Sequence, residues 1–378
     1  MIYLDNSATT RPYDEVIALM ASIQKETFGN PSSLHQVGVL AERTMKTARE
    51  QVLSAFGIDE GSFIFTGSGT EANNLAILGT QLSQIHRTPR IITTQMEHPS
   101  VMETVLHLKE LGADCQLIRL QKNGQLDEEH FASLLTENTS LVSIMTVNNE
   151  IGAVQDVVKL AAMTKANCPR ALFHTDAVQA LGKVPVSVRN TKIDLVSVSA
   201  HKINGPKGVG GLFIRNGVHV KPVIYGGGQE NGLRSGTQNT AAIAGFGLAV
   251  QKTMAFMPDT TERMHALRKK LADGLSAIPG ARVITSENPA PHIVSVAFPG
   301  LRSEILLHAL ESRGIYVSSG SACSSNRPHL SPTLLALGFD RKVIDSAIRF
   351  SLGIHTTEAD IAEAISCVSE QTALLSGV

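Results

Sequence analysis

The sequence predicts an α/β protein: a helix-covered, mostly parallel sheet with a smaller α+β domain after it. Short β-branched runs alternate with helix-period segments over the first two thirds of the chain, the pattern of a parallel sheet. After about Asn239 the alternation gives way to one long helical stretch and then to strands and helices in mixed order. At 378 residues the chain is long enough for two domains and a sizeable core.

The elements follow in order. Val37, Leu40, Ala41, Ala48, Val52 and Ala55 recur near helical spacing and place an amphipathic helix ahead of the sheet. Ser62 to Thr66 reads as a strand and Glu71 to Gly79 as a helix start. Arg90 to Thr94 is a strand, with Ser100 to Leu111 helical behind it. Further strands are Cys115 to Leu120, Leu141 to Thr146, Ala171 to Thr175 and Ile193 to Val198. Asp127 to Leu135 and Asp156 to Ala166 are the helices between them. The glycines at 205, 208, 210 and 211 read as a backbone that turns tightly beside Lys202. A long helix runs from Asn239 toward Ile278, then come the strand Ile293 to Phe298, a helix from Ser303 to Ser312 and the strand Ile315 to Ser318. Gly314 suits a left-handed helix end. The 343–352 region and a final helix from Glu358 close the chain.

Composition narrows the function. Thirty-three basic and 34 acidic side chains leave a net charge of −1 with no block of like charge, so neither nucleic acid nor a membrane surface is an expected partner. The apolar run from Ala241 to Val250 is too short to span a bilayer. Cysteines at 115, 168, 323 and 367 show no CxxC spacing and no close histidine, so no metal site or disulfide framework is expected. With no basic-then-apolar leader, the expected location is the cytoplasm.

The chemistry gathers at strand ends. Lys202 follows the run 193–198 in Ser199-Ala200-His201-Lys202, an unusual place for a charge. An ordinary lysine titrates near 10.4, so a neutral amine near pH 7 costs about 4 kcal/mol. Desolvation removes that charge, and so does condensation with an aldehyde such as pyridoxal phosphate. A surface lysine in a loop is the plain alternative. Gly67-Ser68-Gly69-Thr70-Glu71 follows a strand and opens a helix, which aims N–H groups at an anion, though an ordinary glycine turn has the same sequence. Asp176 ends a strand 26 residues before Lys202, as the partner of a protonated ring nitrogen or as a helix cap. His98 ends another and is either a ring to stack on a flat cofactor or a structural histidine. Asn148 and Asn149 follow a third. Together these loops form the crevice where open α/β sheets bind ligands. Cys323 sits among small polar residues beside Arg327, the setting of a reactive thiol, and Arg349 is embedded between apolar neighbours as an anion holder.

The ordered motifs resemble the cysteine desulfurases of the NifS/IscS type, fold type I pyridoxal phosphate enzymes related to class V aminotransferases. They are Tyr3 to Thr10, Phe28 to Ser33, Val147 to Gly152, Ser199 to Lys202, Gly226 to Glu230, Leu233 to Thr237, Ser319 to Cys323 and Ile348 to Gly353. The resemblance implies a seven-stranded, mostly parallel sheet in a large domain over residues 14–255. It implies a small domain of residues 1–13 and 256–378 that carries the Cys323 loop. Lys202 would then bind pyridoxal phosphate, His98 would stack on its ring, Asp176 would meet the ring nitrogen and Gln179 the phenolic oxygen. Gly69, Thr70, Ser199 and His201 would hold the phosphate, with Thr237 reaching in from the other subunit of a homodimer. Asn149 would line both cofactor and substrate. Asn30, Asn149 and Arg349 would grip L-cysteine, and Cys323 would take the sulfur and pass it to a protein acceptor, either an iron–sulfur scaffold or a thiolation protein. Asn231 stands where the family often has arginine. An aminotransferase or selenocysteine lyase of the same fold is the competing activity. A non-catalytic assembly partner is a third reading, and the joint presence of Lys202, Cys323 and Arg349 weighs against it.

Overall fold

The computed structural model describes residues 1–58, 61–83, 89–319 and 330–376. Its elements are β1 (Ile2–Tyr3), α1 (Asp14–Glu26), α2 (Gln36–Ala55), β2 (Ser62–Thr66), α3 (Gly69–Leu82), β3 (Arg90–Thr94), α4 (Pro99–Glu110) and β4 (Asp114–Ile118). There follow α5 (Glu128–Leu134), β5 (Thr139–Ser143), α6 (Val157–Asn167), β6 (Leu172–Asp176), β7 (Leu195–Ser199), β8 (Gly210–Ile214) and the 37-residue α7 (Thr240–Ser276). The chain ends with β9 (Arg282–Val283), β10 (Ile293–Ala297), α8 (Ser303–Ser312), β11 (Ile315–Tyr316), β12 (Ser318–Ser319), α9 (Pro332–Ala336), α10 (Arg341–Ile344), β13 (Ala347–Ser351) and α11 (Glu358–Ser376).

Seven strands form the main sheet in the order β2-β8-β7-β6-β5-β3-β4. Strand β8 is antiparallel to β2 and to β7, and the other pairings are parallel. Strands β2, β3, β5, β6 and β7 therefore all end on one edge. The central strands are buried on both faces, which is why they read as continuous apolar runs.

Two strand regions differ from the sequence expectation, and helix α1 was not expected at all. Gly210 and Gly211 open strand β8 where a turn was expected. A Cβ on Gly211 would lie 2.2 Å from the Phe63 ring, and one on Gly210 would lie 2.6 Å from the Ser68 backbone. These glycines serve close strand approach, with Gly208 (φ +79°) making the turn before them. The expected strand from Ile315 to Ser318 is two short ones: β11 pairs with β1, and β12 pairs with β13 in a separate four-stranded sheet. Val317, buried between them, marks the change of sheet.

Helix α7 joins two cores. Ala242, Ile243, Phe246 and Val250 from its first half pack with Phe63, Phe65 and Phe213 under the main sheet. Leu267, Leu271 and Leu275 from its second half pack with Leu4, Val294, Phe350 and Ile361 under the small sheet. At 1.5 Å per residue such a helix is about 55 Å long, enough to reach through both. Leu4, fully buried in the second core, brings the N-terminal residues onto the small sheet. Asn6 N and Asn6 Nδ2 then bond Ser351 O, which places residues 5–10 over the strand ends of the main sheet.

Candidate active site

A cleft of about 230 Å³ lies where those strand ends meet the N-terminal segment and β13. Every loop that sequence reasoning placed at a strand end contributes to it. Its lining includes Gly69 and Thr70 after β2, His98 after β3, Asn149 after β5, Asp176 and Gln179 after β6, and Ser199, His201 and Lys202 after β7. Arg349 of β13 faces them.

Lys202 ends a short 3₁₀ turn, Ala200–Lys202, directly after β7. Its Nζ donates to the carbonyls of Ser7 (2.5 Å) and Ala8 (2.8 Å). Those carbonyls are held in place because Thr10 N and Thr10 Oγ1 both donate to His201 O, and Tyr3 Oη donates to Thr9 O. Ser7 O also accepts from Gln179 Nε2 at 2.9 Å, so one carbonyl orients two side chains of the cleft. Burial, reinforced by Lys202, pushes the His201 imidazole down to about 4, so it is neutral at pH 7.

Asp176 is buried at the end of β6, and both carboxylate oxygens are engaged. Oδ1 accepts from Val178 N (2.9 Å) and Oδ2 from Asn73 Nδ2 (2.8 Å). The first bond closes a turn, not a helix, since no helix lies between β6 and β7, so the helix-cap alternative does not hold, and the same carboxylate lines the cleft. Asn73 donates also to Ser100 Oγ, and Ser100 N donates to His98 Nδ1. His98 is thus the N-cap of α4, its ring set by the helix it starts. Burial lowers its pKa, partly opposed by the Asp176 charge. Glu97 beside it is buried and raised to about 8 by desolvation, so it is a neutral acid at pH 7.

The anion loop is built by a cap shifted one residue from the usual capping box. Ser68 Oγ accepts from Glu71 N, while Glu71 Oε2 reaches back to Gly67 N (2.8 Å) and Glu71 Oε1 holds Arg234 Nε (2.8 Å). The cap leaves the first-turn N–H groups of Gly69 and Thr70 at the cleft. A Cβ at Gly69 would come within 2.8 Å of Val178 Cγ2, so only glycine keeps this approach open. Across from it the buried Ser199 Oγ finds no hydrogen-bond partner among the described residues. A helix N-terminus, a glycine and an unsatisfied hydroxyl at one end of a cleft make a place for an anionic group.

Arg349 is 5% exposed and sits in β13. Its Nη2 donates to Asp5 Oδ1 and its Nη1 to Asn149 O, both at 2.9 Å, while Nε has no partner among the described residues. Of the other expected site residues, Asn30 and Thr237 are exposed and do not line this cleft; Asn30 Oδ1 accepts from Ser32 N. Cys323 lies outside the described residues. Asn231, exposed, takes φ +57°, a conformation that asparagine tolerates well.

Sequence reasoning missed Ser7 and Ala8, whose contribution is backbone carbonyls and leaves no side-chain signal. It missed Asn73 too, although that residue falls one helical turn after Gly69 on the same face of α3. Ser100 and Met145 also line the cleft and were not singled out.

Residues 2–363 match the family of class-V aminotransferases. The cysteine desulfurase NifS of Azotobacter vinelandii is 39% identical over 380 residues, covering 100% of this chain and 94% of that protein. The cysteine desulfurase IscS of Methanosarcina thermophila is 36% identical, covering 98% and 91%. Among solved structures, a NifS-like protein superposes with a TM-score of 0.93 at 38% identity over 99% of both chains. The chain therefore belongs to the class-V aminotransferases, within the NifS/IscS group of cysteine desulfurases.

Proposed function

We propose that this chain takes sulfur from L-cysteine with the help of pyridoxal 5'-phosphate, releases L-alanine and leaves a persulfide on Cys323 for a protein acceptor. The observation that carries the reading is the meeting of Lys202, Asp176, His98 and Arg349 on one cleft. The family is one of pyridoxal phosphate enzymes, and the residues present suit that cofactor. Gly69, Thr70, Ser199 and His201 supply the anion end, with Thr237 of the partner subunit. His98 supplies a flat ring and Asp176 an anion for a protonated ring nitrogen. Gln179 supplies an amide for the phenolic oxygen and Lys202 an amine for the aldehyde. Asn149 borders cofactor and substrate. When bound, the cofactor supplies an aldehyde for the substrate amine and a ring that accepts electrons from the Cα–H bond.

The chain does the rest. Arg349, with Asn149 beside it in the cleft, binds the substrate carboxylate, the pairing that a guanidinium fork favours. Lys202 Nζ takes the α-proton and carries it within the cleft. The Cys323 thiolate attacks the substrate sulfur; the S–S bond forms as the Cβ–S bond breaks. Its electron pair stays on the carbon skeleton, which takes up a proton and leaves as L-alanine. An ordinary thiol is only a few per cent ionised at pH 7, so activation of Cys323 raises the rate.

Exposed Phe28 (75%), Leu34 (98%) and Tyr225 (73%) favour a homodimer whose interface also takes up Thr237. The split of α7 between two cores favours a large domain of residues 14–255 and a small one of 1–13 and 256–378. Free thiols at Cys115, Cys168 and Cys367 favour the reducing cytoplasm. Among the described residues no helix is long and apolar enough to cross a membrane. An iron–sulfur scaffold or a thiolation protein is the acceptor class.

The test is the intact mass of the cofactor-loaded protein before and after L-cysteine, without reductant, with peptide mapping. One added sulfur on Cys323, lost in Cys323→Ala and in Lys202→Ala, is the expected result. Alanine formed at the wild-type rate by Cys323→Ala would overturn the assignment.

A further inference from the structure

The segment that carries Cys323 leaves the small sheet at Ser319 and rejoins described structure at Leu330. Both of its stems are fastened close to Arg349. On the N-terminal side, β12 pairs with β13 so that Ser318 stands opposite Arg349 itself. On the C-terminal side the fastening goes through a carboxylate that the reaction does not use. Ser331, 3% exposed, caps α9 by accepting from Leu334 N (3.1 Å) and donates its own hydroxyl to Glu150 Oε2 (2.5 Å). Thr333, also buried, lies beside the same carboxylate and lowers its pKa against the pull of burial.

Glu150 itself has little freedom. Asn148 Oδ1 accepts from Glu150 N and Ile151 N, both at 2.9 Å, and Asn148 Nδ2 donates to Met96 O. Ser295 Oγ donates to Glu150 O. The residue before it, Asn149, lines the cleft and holds Arg349 Nη1 with its carbonyl. One rigid turn thus presents a carbonyl to the substrate-binding arginine and, one residue on, a carboxylate to the stem of the cysteine segment. The Ser331 hydroxyl donates to that side chain, which accepts as a carboxylate.

We propose that Glu150 is a positioning residue for sulfur transfer: through Ser331 it fixes the C-terminal stem of the Cys323 segment to the loop that holds Arg349. The stem begins eight residues after Cys323, so where it is pinned limits where the thiol can go relative to the bound cysteine. The inference rests on the reading of Cys323 as the residue that takes the sulfur.

The experiment compares the cofactor-loaded full chain with Glu150→Ala, Glu150→Gln, Ser331→Ala and the Glu150→Ala/Ser331→Ala double variant. Rapid quench gives the rate of persulfide formation on Cys323 and the KM for L-cysteine. Alkylation of Cys323 by iodoacetamide in cofactor-free protein gives a readout independent of turnover. The expected result is a roughly tenfold fall in kcat for Glu150→Ala and for Ser331→Ala, with KM unchanged and the double variant no slower than either. Glu150→Gln, which keeps one acceptor oxygen, restores most of the rate, and both alanine variants shift the alkylation rate alike. Additive losses in the double variant, or a KM that rises as much as kcat falls, would overturn the proposal. Wild-type protein that gains no sulfur on Cys323 would defeat the desulfurase reading instead, and the alkylation comparison would still judge Glu150.

Discussion

The two walls of the cleft are built in opposite ways. One wall consists of loops that each follow a strand of the main sheet, so Thr70, His98, Asp176 and Lys202 arrive by local geometry. The other consists of residues 5–10 and Arg349, which share an ion pair although 344 residues separate Asp5 from Arg349. The first wall needs only that the sheet form; the second needs both ends of the chain to meet on the small sheet.

The largest expected effect tests the first wall. Lys202→Ala should abolish persulfide formation, seen as unchanged intact mass after L-cysteine. A variant that still turned over would mean that another amine serves. Next comes the second wall. Arg349→Lys keeps the charge but loses the fork, and the KM for L-cysteine should rise about 10- to 100-fold with a smaller change in kcat, by steady-state kinetics. A fall in kcat alone would assign Arg349 to the chemistry of the first wall.

A smaller effect separates the walls by pH. Glu97, behind His98, has its pKa raised from 4.5 to about 8 by burial. Folded protein therefore holds a proton there that the unfolded chain has released, and stability from this group is lost progressively as pH rises from about 4.5 to about 8. Glu97→Gln should flatten that part of the profile of Tm against pH. A profile as steep as the wild type's would show that Glu97 is ionised in the fold. Smallest is Ser68→Ala, which removes the cap of α3 and should cost about 1 kcal/mol of stability by denaturant unfolding. No loss would mean that Glu71 and Gly67 alone close the helix.

What the sequence disclosed follows the same division. Strands buried on both faces announce themselves as apolar runs, and the helix starts at Asp127, Asp156 and Asn239 announce themselves as caps, each with its side-chain oxygen on a backbone N–H of the first turn. Helix α1 did not, because it buries only Val16 and Ile23, two turns apart, and leaves no dense apolar stripe. Strand β8 did not, because its opening glycines read as turn residues when their cause is the Phe63 ring from the next strand. The carbonyls of Ser7 and Ala8 that receive Lys202 have no side-chain signature, and the Asp5–Arg349 pair has no local one. Asn73 was within reach, since the helix repeat puts it beneath Gly69.

Two lysines stand at the junction of the walls, Lys183 buried and Lys202 half-buried, and telling them apart tests the assignment of the cleft. Lys183 Nζ donates to Lys202 O (2.9 Å), and burial brings its pKa down to about 7, so Lys183 offers a neutral amine near that pH. The measurement is borohydride reduction of the protein loaded with pyridoxal phosphate, followed by digestion and peptide mapping. A phosphopyridoxyl group on Lys202 is the predicted result, and the same label on Lys183 would contradict the assignment of the cleft.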